Sequence, residues 1–145
     1  MNGFLLDTNV VSELVRPNPD ARVVNWVEST DEEILFLSVL TLGEIRKGIA
    51  TLSQSARRAR LEAWLNRNLV LRFEGRILAI DIEVADRWGQ LAGLLALRGS
   101  QLAVVDGLLA ATAIHHNLTL VTRNTRDVAE TGANVFDPWI FGSRT

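Results

Sequence analysis

Short, uninterrupted apolar runs alternate with longer amphipathic stretches along almost the whole sequence. A run without polar residues indicates a buried strand, and the stretches between the runs repeat their apolar residues at helical spacing. This alternation predicts a three-layer α/β/α sandwich around a mostly parallel sheet. The predicted strands are 4–6, 34–38, 76–80, 118–122 and 133–138, and the predicted helices are 8–16, 21–30, 39–52, 55–73, 83–99 and 104–117.

Length and composition restrict the class of protein. A chain of 145 residues suits one domain, and no repeat or long linker divides it, so we expect residues 1–145 to form a single domain. The absence of cysteine excludes disulfides and thiolate metal sites. No apolar run approaches the about 20 residues that span a bilayer, and the first residues lack the basic region of a signal peptide. These features favour a cytoplasmic protein without a membrane segment.

The basic residues are almost all arginines, with fourteen Arg against one Lys, although the net charge is −2. The densest group contains Arg57, Arg58 and Arg60. Arginine binds phosphate with two parallel hydrogen bonds, so a local phosphate-binding surface is one interpretation of this group. A solvated helix face is the other.

Polar residues stand where the predicted strands end, which is where parallel sheets gather their functional groups. Asp7, Ser38, Asp81 and Thr122 occupy such positions. Motifs for nucleotide-binding glycine loops and for a nucleophilic serine elbow are absent. The adjacent His115 and His116 are expected to interact with a helix C-terminus rather than to bind a metal.

Four carboxylates are the main candidates for chemistry, and each has a structural alternative. Asp7 is either a helix N-cap or a ligand at the end of the first strand. Glu44 is either an exposed residue beside the apolar stripe of its helix or a ligand. Asp106 lies in the first turn of a helix, where the dipole stabilises an ionised carboxylate. Asp127 follows the fourth strand in a polar segment with Asn124, for which an Asx turn is the alternative.

Two further acids compete with these four. Asp81 is expected to cap a helix, and Asp86 is expected to lie solvated on the polar face of the same helix with Gln90. Neither position favours a role in chemistry.

Convergence of the four carboxylates would restrict the chemistry further. Two carboxylates about 4 Å apart repel by about 4 kcal/mol at an effective dielectric constant near 20, so a cluster persists if it shares protons or binds cations. Oxygen ligands without thiolates or paired imidazoles favour Mg²⁺, with Mn²⁺ as a substitute. Such a site suits the hydrolysis of phosphodiester bonds.

Four segments together resemble PIN-domain ribonucleases, and more narrowly the VapC and FitB type of toxin from prokaryotic toxin–antitoxin pairs. The segments are LLDTNVVSEL, LSVLTLGEIRKGI, VVDGLLAATAIHHNLTLVTRNTRDV and VFDPW. The resemblance implies a PIN-like fold and an endoribonuclease that depends on Mg²⁺ or Mn²⁺. It also implies a homodimer, inhibition by a cognate antitoxin, and contact with operator DNA only through the antitoxin complex.

The resemblance also assigns roles to residues. Asp7, Glu44 and Asp106 match the three principal acids of the family, which bind the metal directly or through water. Thr8 and Asn9 match residues that orient the first acid, and Thr122 matches a polar residue at the end of the fourth strand. The fourth acidic place falls on Asn124 or on Asp127. We expect Asp127 to fill it, with Asn124 close by as a positioning residue.

Two other functions remain open at this point. One is a phosphohydrolase with Asp7 as the nucleophile, although the chain has Asn9 where that class of phosphatase has a second Asp, and Lys47 is its only lysine. The other is a binding module that keeps the fold, cleaves nothing, and acts through antitoxin and DNA.

Overall fold

A computed structural model describes residues 2–142 and shows five parallel strands covered by helices on both faces. This architecture confirms the predicted three-layer α/β/α sandwich. Within the described residues, no helix is long and apolar enough to cross a bilayer.

The strands are short, and each one leads into a helix. They are β1 (Phe4–Leu6), β2 (Leu35–Ser38), β3 (Ile77–Leu78), β4 (Thr119–Val121) and β5 (Val135–Phe136). The α-helices are α1 (Thr8–Leu14), α2 (Ala21–Ser29), α3 (Val39–Ala50), α4 (Ala56–Ala63), α5 (Val70–Arg72), α6 (Ile82–Leu97) and α7 (Val104–His115). Three 3₁₀ segments, Glu32–Ile34, Thr125–Thr131 and Pro138–Ile140, complete the described chain together with one π-helical segment, Trp64–Leu69.

The sheet order β3-β2-β1-β4-β5 places β1 at the centre. Leu5 pairs with Phe36 of β2 on one side and with Leu120 of β4 on the other, both in parallel register. The chain moves outward from β1 to β3 and then returns to β4, so the order reverses between β1 and β4. Open α/β sheets bind ligands at such a reversal, beyond the carboxyl ends of the strands.

Two apolar cores hold the layers together, one on each face of the sheet. Residues of α1, α2, α3 and the π-helical segment pack on one face with Leu6, Leu35 and Leu37. Residues of α7 and the 3₁₀ segment Thr125–Thr131 pack on the other face with Leu5 and Leu120. Because successive residues of a strand point to opposite faces, Leu5 and Leu6 enter different cores.

Two local predictions differ from the structure, each for an identifiable reason. The predicted helix 55–73 contains the π-helical segment. The sequence pattern could not distinguish this segment from an α-helix, because its buried Leu65 and Leu69 are four residues apart, a spacing that fits both helix types. The polar segment after β4 forms a 3₁₀ helix instead of an open loop, with Val128 and Thr131 buried three residues apart, as three residues per turn require.

Candidate active site

The central strand β1 delivers Asp7 to the carboxyl edge of the sheet. Asp7 follows Leu6 directly and is the N-cap of α1, with its Oδ1 atom accepting a hydrogen bond from the backbone N–H of Thr8 at 2.7 Å. The sequence left open whether Asp7 would cap a helix or act as a ligand, and the structure shows that it caps α1. The carboxylate is only 8% exposed.

The second oxygen of Asp7 is held by residues from another strand. The Thr122 hydroxyl, 1% exposed at the end of β4, donates to Oδ2 of Asp7 at 2.8 Å. The same hydroxyl accepts hydrogen bonds from Nδ2 of Asn9 at 3.2 Å and from the backbone N–H of Asn124 at 3.0 Å. Thr122 therefore fixes the orientation of Asp7 and joins the start of α1 to the segment after β4.

Glu44 approaches the same edge from α3. It is exposed, and its Oε1 atom accepts a hydrogen bond from the hydroxyl of Thr8. Thr8 thus contacts two of the predicted acids, Asp7 through its backbone and Glu44 through its side chain.

Asp106 and Asp127 come from the opposite face of the sheet. Asp106 lies in the first turn of α7, and Asp127 lies in the first turn of the 3₁₀ segment Thr125–Thr131. Both line one cavity of about 370 Å³, together with Arg126 and Glu130. Asn124 precedes the 3₁₀ segment and accepts a backbone hydrogen bond from Asp127 at 3.1 Å.

The pKa values of Asp7 and Asp106 are both raised, and neighbouring carboxylates contribute to the increase. Burial raises the pKa of Asp106, and the negative charges of Asp7, Asp127 and Glu44 raise it further. Burial also raises the pKa of Asp7, against the lowering effect of its hydrogen bonds from Thr122 and Thr8, and the charge of Glu44 adds to the increase. The four acids therefore form one group whose ionised members repel one another.

The donor set of this group is compatible with a hard divalent cation. Within residues 2–142, no three Asp, Glu or His side chains stand close enough together to hold a metal ion as they are. Mg²⁺ does not need such a cage, because it usually keeps several waters and binds through one or two carboxylates. Burial is the main cause of the raised pKa values of Asp7 and Asp106, and a cation would relieve the repulsion that adds to it.

A close approach of α6 and α7 fixes the position of Asp106. A Cβ atom added at the neighbouring Gly107 would lie 2.9 Å from side-chain atoms of both Trp88 and Leu102. Only glycine permits this distance, so the backbone next to Asp106 packs directly against two large side chains. This contact could not be predicted from the sequence.

The competing polar residues lie where the sequence predicted. Asp81 caps α6 through a hydrogen bond to the backbone N–H of Val84, and Asp86 accepts a hydrogen bond from Gln90 at 2.6 Å. His115 ends α7, about 14 Å along the helix axis from Asp106. In the part of the chain that the structure describes, none of these residues forms a hydrogen bond with the four acids.

The structure also brings arginines to the site. Arg57 and Arg60, which the sequence singled out, line a cavity of about 770 Å³ together with Thr8 and Glu44. Arg126 borders Asp127 in the other cavity, and sequence reasoning missed it. Its position next to Asp127 in the sequence was the feature from which its place at the site could have been predicted.

Comparison with known proteins adds family evidence to this geometry. The family model for the PIN domain matches residues 4–133. The chain is 40% identical to Toxin FitB of Neisseria gonorrhoeae over 94% of this chain and 98% of FitB, and 32% identical to VapC ribonuclease Y4jK of Sinorhizobium fredii over 94% and 97%. The solved structure of FitAB bound to an IR36 DNA fragment superposes with a TM-score of 0.89, at 38% identity, covering 94% of this chain and 95% of that chain. The chain therefore belongs to the PIN-domain family, as its sequence segments suggested.

Proposed function

We propose that this protein is a Mg²⁺-dependent endoribonuclease toxin that hydrolyses RNA phosphodiester bonds, with Mn²⁺ as a possible substitute. The observation that carries the proposal is the group of four repelling carboxylates beyond the central strand, at the point where the strand order reverses. The names of relatives support the same function, since one is called a toxin and another a VapC ribonuclease.

Each residue of the group has a distinct part in the proposed reaction. Asp7, held by Thr122, Asn9 and the backbone of Thr8, presents an oriented carboxylate to the ion. Glu44 and Asp106 would complete the metal site, directly or through water. A bound Mg²⁺ supplies an activated water and stabilises negative charge on the phosphoryl group. Asp127 would orient the attacking water.

A phosphohydrolase with Asp7 as nucleophile fits the geometry poorly. Both oxygens of Asp7 accept hydrogen bonds, and the residue is almost fully buried. Asn9, which stands where an acid–base partner would be needed, donates its amide hydrogens to Thr122 and Asp7 instead. Hydrolysis by a water molecule therefore agrees better with these contacts than attack by the carboxylate.

The proposed partners follow from the relatives. A solved complex of FitA and FitB with a DNA fragment supports a cognate antitoxin and contact with operator DNA only through the complex. We also propose a homodimer in the cytoplasm, where its RNA substrates are, and a single PIN-like domain that covers residues 1–145. A cationic side chain of the antitoxin would suit the carboxylate group.

The test is RNA cleavage by the purified protein. We expect cleavage with Mg²⁺ or Mn²⁺ and none in EDTA, with 5′ ends mapped by sequencing to identify the sites. Cleavage that is unaffected by EDTA would contradict the metal dependence. No cleavage of cellular RNA, together with no Mg²⁺ binding by calorimetry, would favour the binding module.

The fourth acidic place gives a second test in the same assay. Asp127→Asn should lower the cleavage rate by about 10- to 100-fold, because Asp127 shares a cavity with Asp106 and acts on its pKa. Asn124→Ala should have a much smaller effect, since Asn124 contacts the site through its backbone N–H. A larger loss in Asn124→Ala than in Asp127→Asn would reverse the assignment.

A further inference from the structure

Several arginines in the described part of the chain form salt bridges with carboxylates, but Arg123 does not. The paired arginines are Arg16, Arg22, Arg58, Arg72 and Arg76. Arg123 is exposed, forms no salt bridge with any described residue, and places its guanidinium 5.1 Å from the centre of the Trp139 ring. Its hydrogen-bond donors are therefore available to a ligand.

The position of Arg123 puts this guanidinium beside the candidate active site. Arg123 directly follows Thr122, and its backbone N–H donates to Oδ1 of Asn9 at 3.4 Å. Both neighbours contact Asp7. Trp139 follows β5, so the side chain of Arg123 extends from Asp7 toward the β5 side of the sheet, whereas Glu44 approaches from α3 on the β2 side.

The stack on Trp139 restricts the guanidinium before any ligand binds. Trp139 itself is only 6% exposed, so its ring cannot stack on a base, but it supports the cation that lies over it. A side chain that is already ordered loses less conformational entropy on binding. Arg123 is thus prepared to bind an anionic group at the rim of the site.

An RNA strand that reaches the four carboxylates has to overcome their repulsion of its phosphates. Cations on the flanks of the group offset this repulsion, and an arginine fork matches the geometry of a phosphate. We propose that Arg123, supported by Trp139, binds a backbone phosphate of the RNA on the β5 side of the scissile bond. This inference rests on the proposed function, because it assumes an RNA substrate at Asp7.

The experiment measures RNA binding rather than cleavage. Fluorescence anisotropy with a labelled single-stranded RNA oligonucleotide, in EDTA to prevent cleavage, gives the affinity at several salt concentrations. Arg123→Gln should weaken binding about 10-fold and reduce the slope of log affinity against log salt by about 0.7, the value for one phosphate contact on a single strand. Arg123→Lys should keep that slope and lose only part of the affinity, because it keeps the charge but not the fork.

Arg87→Gln is the matched control. Arg87 is an exposed arginine of α6. Arg87→Gln removes the same charge from α6, a helix that carries none of the four carboxylates, and should alter the salt slope much less than Arg123→Gln. Equal slopes in wild type and Arg123→Gln, with metal-dependent cleavage by the wild type intact, would overturn this inference alone. Wild-type protein that neither binds nor cleaves RNA would overturn the proposed function as well.

Discussion

Replacing Asp7 by Asn should lower metal-dependent RNA cleavage by at least about 100-fold and leave the protein folded. The expected loss is at least as large as the about 10- to 100-fold typical of residues that only support a metal ligand, because the change removes a ligand charge itself. Single-turnover cleavage of RNA with Mg²⁺ measures the effect, and growth inhibition on expression should disappear with it.

The hydrogen bonds of Asp7 explain why the fold should survive this change. Asn is nearly as good an N-cap as Asp, so one oxygen can still accept from the backbone of Thr8. The amide NH₂ then faces the Thr122 hydroxyl, which already accepts from Asn9 and Asn124. This mismatch costs about 1 kcal/mol, and the removal of a partly desolvated charge offsets it.

The matched control for Asp7→Asn is Asp86→Asn. Asp86 is an exposed acid of α6 whose carboxylate contacts Gln90, and its loss changes the net charge equally. Asp86→Asn should cleave at the wild-type rate. Full cleavage by Asp7→Asn, in a protein that melts as the wild type does, would remove Asp7 from the metal site.

The sequence was sufficient to predict the architecture, because short apolar strands and helical spacing are local signals. It was also sufficient to identify Asp7 and Asp106 as candidates, since each stands at the start of a helix. The contacts that join the site were not predictable in this way. The hydroxyl of Thr122 reaches Asp7 across 115 positions of the chain, and only the parallel pairing of β1 with β4 brings the two together.

The arginines show even more clearly that tertiary contacts cannot be predicted from local sequence patterns. Arg123 and Arg72 look alike in the sequence, since each is an arginine without an adjacent charged residue. In the structure Arg72 is held by both carboxylate oxygens of Glu32, whereas Arg123 lies over an aromatic ring beside Asp7. Which arginines are free to bind phosphate is decided by tertiary neighbours, which composition does not report.

Metal-free protein should lose stability as pH rises from about 4 toward neutrality, relative to the Asp7→Asn/Asp106→Asn double variant. Both carboxylates have pKa values above the ordinary aspartate value of about 3.9. A raised pKa means that the folded state binds the proton more tightly than the unfolded state. The stability from this proton is fully present below about 3.9 and is lost as pH rises through the raised pKa values.

The comparison with the double variant is necessary because other acids act in the opposite direction. The hydrogen bonds from Arg22 lower the pKa of Asp20 to about 2, and those from Arg72 lower the pKa of Glu32, so both groups stabilise the fold as pH rises. Their contributions are the same in both proteins and cancel in the difference. Chemical denaturation in EDTA at several pH values measures that difference.

Mg²⁺ should restore the stability that the metal-free protein loses at neutral pH. An ion that binds only the folded state stabilises it by about 2.7 kcal/mol when its concentration is 100 times the dissociation constant. Wild-type protein should therefore gain thermal stability with Mg²⁺ at pH 7, and the double variant, which lacks two of the proposed ligand charges, should gain much less. An equal gain in both proteins would place the stabilising ion elsewhere and would leave the repulsion between Asp7 and Asp106 without a role in metal binding.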